Sequence, residues 1–278
     1  MNFKIKKKIK PNLLKELAEL KNNRTSFNDF SESYLLNISR RYNLMHHILN
    51  DRELRKEKDK HSIYIATGQY ISSLVTCWET YFRDIFVYVV EQDPNKKTEI
   101  SDFIIQKGMS ILELENAQLN LSDYGSKQYN FQDLNDTCSA LNFLLNESKN
   151  RISEFIEGSI EDVVFTKPNF LLYWINEEKD ISQELYSVLE QGFEIRHKVI
   201  HDANFIYKIE PHFINAFEDC MVIFPQLISI LLAKKYNAKR PVFNVDKHYS
   251  RLTNNPNDRE VNFIFSRNDF EGDYQIVD

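Results

Sequence analysis

From Ile63 to Val89 the residues Ile63, Ala66, Tyr70, Ile71, Leu74, Val75, Trp78, Phe82, Ile85, Phe86 and Val89 recur at three- and four-residue steps, before the chain meets Asp93-Pro94-Asn95. That spacing predicts one long helix with a wide apolar face. A stripe so broad has to be covered by several partners, so this segment is the expected central core helix. With only 6 Gly and 7 Pro in 278 residues, the chain lacks the punctuation that hairpin-rich folds need. Helices packed around a central helix are the natural outcome.

Other segments carry the same period. Leu13, Leu14, Leu17, Ala18 and Leu20 follow Pro11 as a short amphipathic helix. Tyr34, Leu35, Ile38, Tyr42, Met45, Ile48 and Leu49 predict a second long helix, with the charged stretch Asp51 to Lys60 as its solvated end. Ile100 to Leu114 reads as a helix interrupted at Gly108, Asn116 to Asn130 as a loop, and Phe131 to Leu145 as a helix. Arg151 to Asn176 reads as short helices and connectors. Asp180, with Gln183 three residues on, has the form of a helix N-cap, and the helix it opens is expected to end near His201. A last helix follows Pro211, with Pro225 as an expected kink or break. The expected fold is all-α: an antiparallel helical bundle over residues 61–235, a helical extension over residues 1–60, and an irregular tail or strap over residues 236–278.

At 42% hydrophobic and 27% charged, the chain can bury one sizeable core. A formal net charge of -6 argues against non-specific binding to long duplex nucleic acid, while local basic patches stay open. Cys77, Cys138 and Cys220 lie far apart with no C-x-x-C pair, which suggests neither a zinc knuckle nor a disulfide framework, and a reducing cytoplasm is the expected setting. No signal-peptide pattern follows the lysines of residues 1–10, and no uninterrupted membrane span is expected.

The chemistry concentrates in Glu194-Ile195-Arg196-His197-Lys198-Val199-Ile200-His201-Asp202. Arg196 offers a permanently charged guanidinium that can clamp a phosphate, and His201 a group that exchanges protons near neutrality. Those two chemistries are what metal-free RNA cleavage requires. Five residues apart on a regular helix, the two are rotated by about 140°, so they do not share a face. They converge if the helix ends between them, or across a two-fold axis with a second copy.

These residues, together with Leu74-Val75-Thr76-Cys77-Trp78-Glu79-Thr80-Tyr81 on an earlier helix and the helix start Asn130-Phe131-Gln132-Asp133-Leu134, resemble the HEPN superfamily. The likeness covers roughly residues 63–232. It implies a helical bundle, metal-independent endoribonuclease activity at a homodimer interface, and a setting in toxin–antitoxin, phage-defence or RNA-processing systems. Arg196 and His201 match the family's arginine and histidine and are the expected catalytic residues; His197 stands at a polar position often filled by Asn. RNA, a second copy of the chain and an antitoxin or defence-complex protein are the partners so implied, with no membrane and no cofactor. His197 and Lys198 are the expected substrate-phosphate contacts. The alternative function is a non-catalytic module of the same fold that binds RNA, a nucleotide or a protein.

Blander roles compete for the same residues. Arg196 could pair with Glu194 or Glu190 on the helix surface, where ion pairs contribute little, and His201 could terminate the helix, where a cation is favourable. His197 and His201 have the spacing of zinc-binding helices but lack the Glu of H-E-x-x-H, with Asp202 or His212 as a third ligand only after a fold-back. Glu79 is equally compatible with a buried, partnered carboxylate and an exposed one. His46-His47 reads as helix surface. Most of the 14 Tyr and 20 Phe read as core, with Phe205 and Tyr207 as rings that could stack on bases. No phosphate-binding glycine loop and no G-x-S-x-G elbow is present.

Overall fold

The computed structural model describes residues 27–56, 60–106, 111–112, 120–157, 159–160, 163–208, 210–238, 240–244, 249–253 and 260–270. Its helices are α1 (Phe27–Asn50), α2 (Arg52–Lys56), α3 (His61–Gln92), α4 (Pro94–Gln106), α5 (Leu121–Ser126), α6 (Leu134–Leu145), α7 (Phe170–Asn176), α8 (Ile181–His201) and α9 (Pro211–Lys235). Strands β1 (Val163–Phe165), β2 (Arg240–Asn244), β3 (Tyr249–Thr253) and β4 (Glu260–Ile264) and the 3₁₀ turns Ile152–Ile156 and Arg267–Phe270 complete it. The fold is predominantly helical, with one small sheet.

Helix α3 is central, as its apolar stripe demands. Ile71, Leu74, Val75, Trp78 and Ile85 are fully buried, and α1, α8 and α9 all pack against it. Rings mark the register. Phe27 and Phe30 meet Tyr88 at 5.2 and 5.3 Å, and Tyr34 meets Tyr81 at 4.7 Å, so α1 runs antiparallel to α3. Phe193 meets Trp78 at 5.6 Å while Gly68 faces Val199, so α8 is antiparallel to α3 on its other flank. Although α1 falls within the expected extension of residues 1–60, its Tyr34, Ile38, Tyr42 and Met45 sit in the same core as α3 and α9. The Leu13 to Leu20 pattern lies outside the described residues.

Helix α9 is long and apolar enough to cross a membrane by length and composition, with a mean hydropathy of 1.7, yet 94% of that window is buried inside the fold. Its apolarity suits a core helix covered on most sides. Pro225 does not break it. Proline lacks the N–H that would bond the carbonyl of residue 221, and the Tyr34 hydroxyl donates to that Met221 carbonyl at 2.7 Å instead. The Tyr81 hydroxyl donates to the Pro225 carbonyl at 2.6 Å, which ties α1 and α3 to the same turn.

Several boundaries differ from expectation for local reasons. The charged stretch after Asn50 is not one helix end: the Asp51 carboxylate accepts from the N–H groups of Glu53 and Leu54 and starts α2 anew. Within Asn116 to Asn130 the short α5 forms. Helix α6 starts at Leu134, because Asp133 caps it by accepting from the N–H groups of Asn135 and Asp136. The tail is not irregular. Its strands join β1 in a sheet of order β1-β4-β2-β3, with β1 and β4 parallel and the other pairs antiparallel. Two buried α9 side chains hold it down: Gln226 bonds both the N–H and the carbonyl of Phe265, at 3.1 and 2.9 Å, and Asp219 accepts from the N–H of Arg267 at 3.2 Å.

Candidate active site at the end of helix α8

The helix carrying the motif is built as its sequence directs. Asp180 caps it, accepting from the Gln183 N–H at 2.9 Å, and the last turn closes with the Asp202 N–H on the Lys198 carbonyl. Gly192 permits a close approach to α9, since a Cβ there would stand 2.1 Å from a ring carbon of Phe217. Gly68 does the same for α3, where a Cβ would meet Val199 at 3.0 Å. These two contacts seat the C-terminal half of α8 deep against the bundle. They therefore set the depth of Arg196.

Arg196 is half-buried and donates a hydrogen bond to the Gln132 side-chain oxygen. The Gln132 amide nitrogen in turn donates to Glu79, which also takes an ion pair from Arg83 one turn along α3. Glu79 is thus a mostly buried carboxylate with partners. Neither surface pairing open to Arg196 forms: Glu194 is taken by Lys198 at 2.6 Å, and Glu190 accepts from the Tyr186 hydroxyl. Among the described residues no carboxylate ion-pairs with Arg196 directly. A guanidinium held by a neutral amide keeps its charge and spare donors for another acceptor.

Gln132 is the residue of this cluster that sequence reasoning did not single out. Its place is fixed on both sides. Phe131 is buried beside Phe86 at 6.2 Å, and Asp133 is the cap of α6, so the residue between them is presented toward α3 and α8. The helix-start pattern at Asn130–Leu134 was the available signal, but nothing local says which residue 64 positions away the amide will meet.

His197, Lys198 and His201 are exposed on the last turn and a half of α8. The rings of His197 and His201 face each other at 4.6 Å, tilted by 49°. Lys198, expected as a phosphate contact, is engaged with Glu194, whose carboxyl it draws below the usual carboxylate range by hydrogen bond and by charge. Because α8 stays helical through His201, Arg196 and His201 do not converge within one chain. Of the two routes to convergence, helix termination between them is removed. Of the residues named as a third metal ligand, Asp202 accepts from the Asn204 N–H, and His212 stands against Phe170 at 4.9 Å. Tyr207 is not a base-stacking ring: it is buried against Phe213 at 6.1 Å.

The chain matches no protein-family model, no curated protein and no solved structure.

Proposed function

We propose that this chain is a metal-independent endoribonuclease whose active site forms between two copies. The observation that carries it is Arg196 itself: a half-buried guanidinium oriented by Gln132, without a direct carboxylate partner among the described residues, immediately before the first histidine of an exposed His197–His201 pair. Held by a neutral amide and reaching solvent, its guanidinium keeps donors available for a phosphate. The resemblance of these residues to the HEPN superfamily points the same way.

The homodimer is supported by the geometry of α8 and by apolar side chains left on the same end of the bundle. Ile65 and Ile200 each lie within a turn of the Gly68–Val199 contact and are 54% and 52% exposed, and Leu44 on α1 is 61% exposed. A two-fold axis through this region would cover them and bring each His201 toward the second Arg196. One His201 then takes the proton from an RNA 2′-hydroxyl as its oxygen attacks phosphorus. The second His201 gives a proton to the departing 5′-oxygen, while the arginines stabilise charge on the phosphoryl oxygens. The products are a 2′,3′-cyclic phosphate and a 5′-hydroxyl. A bacterial toxin or anti-phage effector working in the cytoplasm, restrained by an antitoxin or defence-complex protein, is the setting we infer.

The test is incubation of single-stranded RNA with the native protein in a metal chelator, beside Arg196→Ala and His201→Ala. Cutting by the native protein alone supports the proposal. RNA that is retained but left intact by all three favours a binding module of the same fold.

A further inference from the structure

His197 and His201 stand on the last turn and a half of α8, four residues apart and therefore on one helical face. Both side chains are exposed, and their rings lie 4.6 Å apart at the centroids with a tilt of 49°. Among the described residues neither imidazole has a hydrogen-bond or ion-pair partner. Their charged neighbours are engaged elsewhere: Lys198 with Glu194 at 2.6 Å, Asp202 with the Asn204 N–H at 2.9 Å, and Arg196 with Gln132. Two adjacent rings are thus left with their nitrogens uncommitted.

The separation is that of a chelating pair. A metal–nitrogen bond of about 2.0–2.1 Å in the plane of an imidazole puts the ion about 3.2 Å from the ring centroid. Two centroids 4.6 Å apart then subtend about 90° at a shared ion. That is the cis angle of octahedral or square coordination, and the wider angle of a tetrahedron needs the centroids only about 0.6 Å further apart. Exposed side chains reach either geometry by turning about χ1 and χ2, which also brings one nitrogen of each ring to the common point. Among the described residues no cluster of three or more His, Cys, Asp or Glu is placed to hold an ion. The pair is accordingly a two-ligand site with its other positions open to water. Such a site exchanges its ion, unlike the closed four-ligand sites that hold folds together.

We propose that His197 and His201 together bind a divalent transition ion, Zn²⁺ or Ni²⁺, and that this ion switches RNA cleavage off. Imidazole suits these ions, whereas Mg²⁺ and Ca²⁺ take oxygen ligands. The switch rests on the nuclease reading; the binding site does not. A neutral imidazole has one free lone pair, and in His201 that is the lone pair that takes the proton from the RNA 2′-hydroxyl. An ion bound there competes with the proton for the same electrons. The cleavage chemistry uses no metal, yet its base is a metal ligand.

The experiment titrates Zn²⁺, Ni²⁺ and Mg²⁺ into the metal-free native protein, His197→Asn and His201→Ala by isothermal calorimetry. Both substitutions lie at exposed positions, and thermal melts verify folding. The native protein should bind Zn²⁺ and Ni²⁺ but not Mg²⁺. Each variant keeps one imidazole and should bind at least roughly tenfold more weakly, since loss of even a supporting contact weakens a metal site that much. No binding of Zn²⁺ or Ni²⁺ by the native protein, or affinity unchanged in either variant, overturns the site. A second arm follows cutting of single-stranded RNA, held below its KM, by the native protein across the same Zn²⁺ range. Half-inhibition should fall at the calorimetric Kd, and a chelator should restore the full rate. Cutting that continues at saturating Zn²⁺, or half-inhibition more than roughly tenfold away from that Kd, overturns the switch. The two readings fail separately: binding that needs both histidines, without RNA cutting in any condition, removes the nuclease and its switch and keeps the metal site, whereas cutting without ion binding does the reverse.

Discussion

Gly192→Ala sets two physical effects of opposite sign against each other. Alanine in a helix interior is favoured over glycine by about 1 kcal/mol, so on propensity alone the variant gains stability. The new Cβ, however, would lie 2.1, 2.5 and 2.6 Å from three ring carbons of Phe217. That ring is fully buried and stacked on Phe213 at 5.8 Å, so it has no solvent to turn into. Overpacking of this kind costs about 1–3 kcal/mol, and a contact so far inside van der Waals distance belongs at the upper end. The net expectation is a loss of about 2 kcal/mol, or a fall in Tm of about 4 °C at about 2 °C per kcal/mol for a chain of this size. Thermal and urea unfolding measure it. Phe217→Leu in the alanine background should recover part of the loss, giving a double-mutant coupling of about 1 kcal/mol or more. Since Arg196 lies one turn beyond Gly192, displacement of α8 should also lower RNA cleavage. A Tm equal to or above that of the native protein would refute the close α8–α9 approach that places Arg196.

Three further outcomes follow from particular contacts. Tyr34→Phe leaves the Met221 carbonyl, orphaned by Pro225, without its donor, and urea unfolding should show a loss of about 1–3 kcal/mol; an unchanged midpoint would mean the helix solves its proline another way. Burial raises the Asp219 carboxyl from 3.8 to about 6 against the opposing pull of the Phe170 and Arg267 N–H groups and the Arg267 charge. The folded state therefore holds that proton more tightly than the unfolded chain, so the stability it contributes is full below about pH 4 and lost as pH rises through about 6. The stability difference between native protein and Asp219→Asn should accordingly move by about 2 kcal/mol in favour of Asn from pH 4 to pH 7, and a gap that stays constant contradicts the shift. Gln132→Ala should lower stability by only about 1–2 kcal/mol, leaving the protein folded, but cut kcat/KM for RNA by about 10²-fold, the scale of misplacing a catalytic group by about 1 Å; full activity would remove Gln132 as the residue that positions Arg196.

The central helix, its end at Gln92, the Asp180 cap and the end of α8 at His201 were legible in the sequence, because a wide apolar stripe and capping residues act over a few neighbouring positions. What depended on distant partners was not. Pro225 signals a break until Tyr34, 187 residues away in sequence, supplies the missing donor. The strands after Arg240 escape a pattern search, since part of their order comes from Gln226 and from parallel pairing with β1, a segment of three residues. In the candidate site, Arg196 and His201 stand out by residue type and spacing, and so did the ambiguity of Glu79. Gln132, which joins Glu79 to Arg196, is an amide before a helix, and its role exists only once α3, α6 and α8 are packed.

The most direct measurement is the chemistry of the RNA ends left by the native protein in a metal chelator, read by mass spectrometry of the fragments. Attack by the 2′-hydroxyl, driven by His201 and Arg196, predicts 2′,3′-cyclic phosphates paired with 5′-hydroxyls, absent when Arg196→Ala or His201→Ala replaces the native protein. Fragments carrying 3′-hydroxyl and 5′-phosphate ends, or cyclic-phosphate ends that persist in both variants, would contradict it.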